Sequence, residues 1–223
     1  AWDSVGAGDQ VLEALGGGAT IDPGHLWIGG HSMGAGTTYH VLSEVLGRGW
    51  GSQSLVVDLE APWIHATQSE LRGNMSRLPD HAIIQIIEYE SDNVVAKCIG
   101  RWQHARMLAR DGAAPMPADQ VQFLQVPSDY RGFPRLIASH YLPATIIRES
   151  LADHSYYPRL EAQSDFIASS ANGDAAAAQT AQTAFMESTD LGEWSNGDTV
   201  YPMVFVDAPL ELEDENIDAC PVT

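Results

Sequence analysis

Lysine is nearly absent from this 223-residue chain: Lys97 is the single lysine among eleven basic residues, the rest being arginine. Thirty acidic residues leave a formal charge of −19, and so acidic a surface repels nucleic-acid phosphates and anionic lipid. It suits a salty or extracellular setting, so a secreted or periplasmic location is expected over a cytoplasmic one. Long apolar runs are also missing. No stretch reaches the ~18 consecutive apolar residues of a membrane span, and the first residues lack the basic-then-apolar pattern of a signal peptide. Cysteine is limited to Cys98 and Cys220. Cys98 falls on an apolar helical stripe, which predicts a buried thiol rather than a disulfide. The Asn74-Met75-Ser76 sequon is a glycosylation acceptor in form, relevant only to a chain secreted from a eukaryote.

The chain does have enough apolar material, 44% of its residues, to bury a sizeable core without staples. Short continuous apolar runs alternate with helical periodicity. "SVGAGDQVLEALGGG" spaces Val5, Val11, Leu12 and Leu15 as a helical face that Gly16 to Gly18 terminate. Leu26 to Ile28 then form an apolar run of the kind buried on both faces of a sheet. "MGAGTTYHVLSEVLGRG" follows as a helix with Leu42, Val45 and Leu46 on one face, ending at Gly47. The rhythm repeats in "SLVVDLEAPW" and in "HAIIQIIEYESD", the latter followed by a predicted helix from Asn93 with Val95, Cys98, Ile99 and Trp102 as its stripe. "VQFLQV" is the last strand of the series. Alternation of this kind argues an α/β fold with a mostly parallel sheet flanked by helices, and places ligand chemistry at the carboxyl ends of the strands. Beyond residue 145 come helical pieces, including the alanine-rich "DAAAAQTAQTAFM", a predicted hairpin turn at "SNGD", and an acidic tail over 211–223.

Gly30-His31-Ser32-Met33-Gly34 matches the G-x-S-x-G nucleophile elbow. It follows an apolar strand and opens a helix, the context that motif requires. Both flanking glycines are read as a steric need, since a Cβ at either position is expected to collide with backbone in so sharp a turn. The turn lifts the hydroxyl of Ser32 clear of the sheet, and the helix N-terminus favours negative charge beside it.

A serine hydroxyl needs a base within hydrogen-bond reach and a third group to orient that base. Asp92 stands at the end of "AIIQIIEYE" and is the candidate acid; helix capping is its alternative role, Glu90 the nearest substitute and Asp58 the next. Among the eight histidines, His140 in "RGFPRLIASHYLPAT" is the candidate base, with His154 as runner-up. His31 is expected to point away from the serine and to pack locally or shape the pocket. The Met33 N–H is the candidate oxyanion donor. Met33, Trp63 and the Tyr156–Tyr157 pair are candidates for the acyl side of the pocket.

The order Ser32, Asp92, His140 with "GHSMG" on a strand–helix turn resembles an α/β-hydrolase, and is most similar to its serine esterase and lipase-like branch. "SDYRGFPRLIASHYLP" also resembles the histidine-bearing loop of some esterase-like members, where "ADH" is commoner than "ASH". The resemblance covers residues 1–145 as the hydrolase core, with 146–223 as an extension packed on it. It implies cleavage of carboxylic esters, small or lipid-like, with Ser32 as nucleophile, His140 as base and acid, and Asp92 as its orienter, and with no metal and no organic cofactor.

The chain departs from that pattern before the elbow, where the family carries further strands and the loop that supplies a second oxyanion donor. Completion of the fold by a separate N-terminal chain or fragment is therefore expected over a naturally short variant, because the elbow strand would otherwise be an open sheet edge. The same departure keeps a second reading in play, a non-catalytic subunit of the same fold that binds or supports a partner.

Overall fold

The computed structural model describes residues 21–64, 74–144 and 150–206. Five strands form one sheet in the order β1-β2-β3-β4-β5. They are β1 (His25–His31), β2 (Ser54–Glu60), β3 (Ile83–Tyr89), β4 (Val121–Val126) and β5 (Val204–Phe205). The first four run parallel in chain order and β5 is antiparallel to β4. Every residue of β2 and β3 is buried, as their largely apolar sequences predict, and polar residues among them, Asp58, Glu60, Gln85 and Glu88, are buried with the rest. β1 lies at the sheet's end, pairing with β2 alone among the described residues, and its residues are only half-buried or exposed.

Helix α1 (Met33–Gly47) joins β1 to β2, and α2 (Cys98–Ala109) joins β3 to β4. Ala35, Tyr39, Leu42 and Leu46 of α1 and Ile99, Trp102 and Met107 of α2 pack with Leu55, Val57, Leu59, Ile84 and Ile86 in one core. Each large aliphatic side chain withdrawn from water there contributes about 1.5–3 kcal/mol. Between β2 and β3 the described residues hold a 3₁₀ turn, Met75–Arg77.

The other sheet face is covered by the segment after residue 150. Helix α3 (Ser150–His154) leads into α4 (Tyr156–Ala171) and α5 (Ala175–Glu187), which pack against each other with the Phe166 and Phe185 rings 5.9 Å apart. Asp174 caps α5 by accepting the Ala177 N–H at 3.0 Å. This second face is partly polar. Gln163 of α4 donates to Gln85 at 2.8 Å, Gln85 donates to Gln122 at 2.8 Å, and the Trp27 indole donates to Gln163 at 2.8 Å. Fully partnered amides of this kind lock the helix pair onto the sheet without a desolvation penalty.

Three expectations are corrected. The helix expected from Asn93 starts at Cys98, because the Asp92 carboxylate accepts the N–H groups of Val94 and Val95 and turns the intervening backbone. Cys98 is disulfide-bonded rather than a buried thiol: its place at the start of α2 leaves it only partly covered, and the chain's other cysteine, Cys220, lies outside the described residues. "SNGD" does make a tight turn, with Gly197 at φ 87 and a single Glu193–Thr199 bridge, but the strand that follows joins β4 instead of a hairpin partner. The predicted first helix and acidic tail lie outside the described residues. Among the described residues no helix is long and apolar enough to cross a membrane.

Candidate active site

The turn from β1 into α1 is built around Ser32, whose φ of 56 and ψ of −123 place it in a sparsely allowed region for a residue with a side chain. Three backbone hydrogen bonds hold it there: the Ser32 N–H donates to the Glu60 carbonyl at 2.9 Å, and the Ser32 carbonyl accepts from Trp63 at 3.0 Å and Gly36 at 3.1 Å. Gly30 is a steric necessity, since a Cβ there would stand 2.6 Å from the Gly34 carbonyl carbon and 2.8 Å from the Ala35 nitrogen. Gly34 is not; a Cβ there meets nothing within 4 Å, so the expectation that both flanking glycines prevent collisions holds for one of them. Gly36 is constrained as well, since a Cβ there would lie 2.0 Å from the Trp63 carbonyl oxygen.

The structure brings Ser32, His140 and Asp92 together. Ser32 Oγ and His140 Nε2 are 2.9 Å apart, and His140 Nδ1 and Asp92 Oδ2 are 2.8 Å apart. The carboxylate accepts only, so His140 carries its proton on Nδ1 and presents a bare Nε2 to the serine hydroxyl. The other oxygen of Asp92 accepts from Val94 at 2.8 Å and Val95 at 3.0 Å, which fixes its orientation. Both side chains are nearly sealed from solvent, 4% exposed for His140 and 5% for Asp92.

His140 stands on an irregular stretch between β4 and the 3₁₀ turn Leu142–Ala144, and separate contacts pin that stretch. The Glu90 carboxylate accepts the Ser128 N–H at 2.7 Å, and the Ser91 N–H donates to the Ala138 carbonyl at 2.9 Å. Asp129 bridges to Leu136 in an antiparallel pair and receives the Arg131 guanidinium, the Trp194 indole at 3.1 Å and the Tyr201 N–H at 3.2 Å. Arg131 and these other donors hold the Asp129 carboxyl below the usual carboxylate range. Glu90 thus serves the loop's position and takes no place beside His140.

Asp58 faces α4, next to Gln163, and its carboxyl is pushed up to about 7 by burial, with Glu60 adding to the effect. His154 packs against Gly192, where an added Cβ would meet its ring at 2.8 Å. Tyr156 and Tyr157 form an edge-to-face pair 5.2 Å apart at the start of α4. Met33 opens α1, so its N–H is one of the donors that lack an acceptor inside the helix, while its side chain is 59% exposed. Tyr141, next to His140, is also exposed.

Two further neighbours join the site. His31, expected to pack locally or shape the pocket, packs against the base: its Nε2 lies 2.7 Å from the His140 carbonyl oxygen, and the two imidazoles are 4.6 Å apart. Arg159 of α4 pairs with Glu60 beneath the elbow, and Tyr89 donates to the same carboxylate at 2.5 Å. No local pattern marks either contact, because each joins elements distant in sequence. Among the described residues no group of three or more His, Cys, Asp or Glu side chains is arranged to hold a metal ion. No protein family, no curated protein and no solved structure matches this chain.

Proposed function

We propose that this protein is a serine hydrolase of the α/β-hydrolase kind that cleaves carboxylic esters. The observation that carries the reading is the relay from Ser32 Oγ through His140 to Asp92, with the serine raised on a strained turn at the head of α1. In this reading Ser32 Oγ attacks the ester carbonyl as its proton passes to His140 Nε2. The charge developing on the carbonyl oxygen is met by the Met33 N–H at the positive end of the α1 dipole. His140 returns the proton to the departing alkoxide, which leaves as the alcohol. Water then attacks the acyl-serine with His140 as base, releasing the carboxylic acid and restoring the hydroxyl. Asp92 keeps the imidazole in the required tautomer and stabilises the imidazolium. The preference for esters rests on the resemblance of "GHSMG" and the His140 loop to the esterase and lipase-like branch. A fluorophosphonate should label native protein on Ser32, and Ser32→Ala should lose both labelling and hydrolysis of a short-chain activated ester. Hydrolysis unchanged in that variant would sink the reading.

One observation favours a second role. The outer edge of β1 has no partner strand among the described residues, and a partner segment docked there would extend the sheet. A chain that binds such a partner without catalysis would resist the fluorophosphonate and co-purify with a stable companion. Stoichiometric labelling of a monodisperse monomer would remove it.

A further inference from the structure

We infer that His31 is a positioning residue for the base, holding His140 over Ser32 through the main-chain carbonyl of His140. The inference rests on the serine hydrolase reading and adds to it a residue outside the triad.

The carbonyl of His140 can only accept, so the contact of 2.7 Å requires that His31 carry its hydrogen on Nε2 and donate it. The need for such a donor follows from the local structure. Between Val126 and Leu142 the chain makes one isolated bridge, Asp129–Leu136, and no helix or strand, so His140 is placed by individual contacts: the Ser91 N–H holds the Ala138 carbonyl two residues before it, and the His31 bond falls on His140 itself. His31, in contrast, ends a strand and is paired in register with Glu60. Glu60 is also the residue whose carbonyl holds the Ser32 N–H at 2.9 Å. One strand end thus sets the backbone of the nucleophile and, through the His31 ring, the backbone of the base. The two imidazoles meet at a tilt of 44° with centroids 4.6 Å apart, which limits rotation of His140 about its own side chain.

Burial lowers the affinity of His31 for a proton, opposed mainly by its hydrogen bond to the His140 carbonyl. Glu60 and Asp92 face it with negative charge, and His140 is its basic neighbour. A neutral ring suits the place, because the proton gained by His140 during acyl transfer then meets no second cation.

The test compares substitutions at His31 by their fluorophosphonate labelling rate and by kcat and KM on a soluble activated ester. His31→Leu removes the donor and should slow labelling and kcat by about 10- to 100-fold, the scale expected when a catalytic group is displaced by about 1 Å, with KM changed less than about threefold. His31→Gln can set an amide N–H near the position of Nε2 and should recover most of the loss, whereas His31→Asn is too short to reach and should stay slow. Should His31→Leu not fold, the contrast of Gln with Asn decides the matter. Wild-type protein that fails to label overturns the hydrolase reading itself. Wild-type labelling with all variants equally fast, or with Gln as slow as Leu and Asn, overturns the role of His31 as donor and leaves the hydrolase reading standing.

Discussion

The guanidinium of Arg159 on α4 lies 2.5 Å from the carboxylate of Glu60 at the end of β2, with both side chains 3% exposed. Tyr89 donates to the other oxygen of that carboxylate, and the Glu60 carbonyl holds the amide of Ser32. The helices after residue 150 are thereby fastened to the elbow through a single residue. Arg159→Met should leave a buried carboxylate without its cation and cost about 3–5 kcal/mol. Adding Glu60→Gln should recover a good part of that loss, since the amide still accepts from Tyr89 without a charge. Urea denaturation of both variants measures this, and a single variant as stable as wild type would show the pair to be incidental.

Asp92→Asn separates orientation from folding. The amide oxygen can still accept from Val94 and Val95 and keep the turn, but its nitrogen donates where His140 needs an acceptor. The imidazole is then expected in the wrong tautomer, with a hydrogen on the nitrogen that should receive the serine proton. Labelling of Ser32 should slow by roughly 10³–10⁴-fold while the circular dichroism spectrum is unchanged. A loss below about tenfold would mean that Asp92 only caps its turn.

The two glycines of the motif should respond oppositely to alanine. Gly30→Ala drives a methyl into backbone at 2.6 Å, and backbone cannot be repacked, so soluble protein or labelling should be lost. Gly34→Ala enters open space within the first turn of α1 and exchanges glycine for a better helix former, worth up to about 1 kcal/mol. It should be neutral or stabilising with labelling retained. Thermal melts and labelling of the pair give the answer.

Glu88 makes stability depend on pH. It is buried in β3, one carboxyl oxygen has no hydrogen-bond partner, and burial pushes its pKa from 4.5 up to about 8, with Arg101 and Lys97 opposing the rise and Asp92 adding to it. Between these two values the folded state holds a proton that the unfolded state has released. Unfolding therefore releases protons there, so stability falls as pH rises from about 5 to 8 and is highest below the unfolded value. Glu88→Gln should flatten that slope by about 1–3 kcal/mol across the window, read from denaturation at a series of pH values. A slope equal to that of wild type would place the effect elsewhere; Asp58, raised to about 7, acts in the same direction.

Local pattern carried much of this molecule. The runs that became β2 and β3 are mostly apolar because those strands are buried along their whole length, and α1 ends at Gly47, where glycine stops its periodic stripe. The approach of Ser32, Asp92 and His140 was legible from their order in the segments that follow β1, β3 and β4, since a parallel sheet gathers its carboxyl ends on one edge.

Other features depend on contacts between distant segments. Whether Gly30, Gly34 or Gly36 tolerates a side chain depends on where Trp63 and the first turn of α1 come to rest. The late start of α2 follows from the Asp92 carboxylate turning back on its own backbone. The sequence by itself determined the alternation of strand and helix and the residues able to do acyl-transfer chemistry, because periodicity and turn residues act over a few positions. Only the tertiary structure decided that His31 meets His140 and that Arg159 reaches Glu60, because a buried donor or cation is selected by the group opposite it, and that group lies about a hundred residues away in each case.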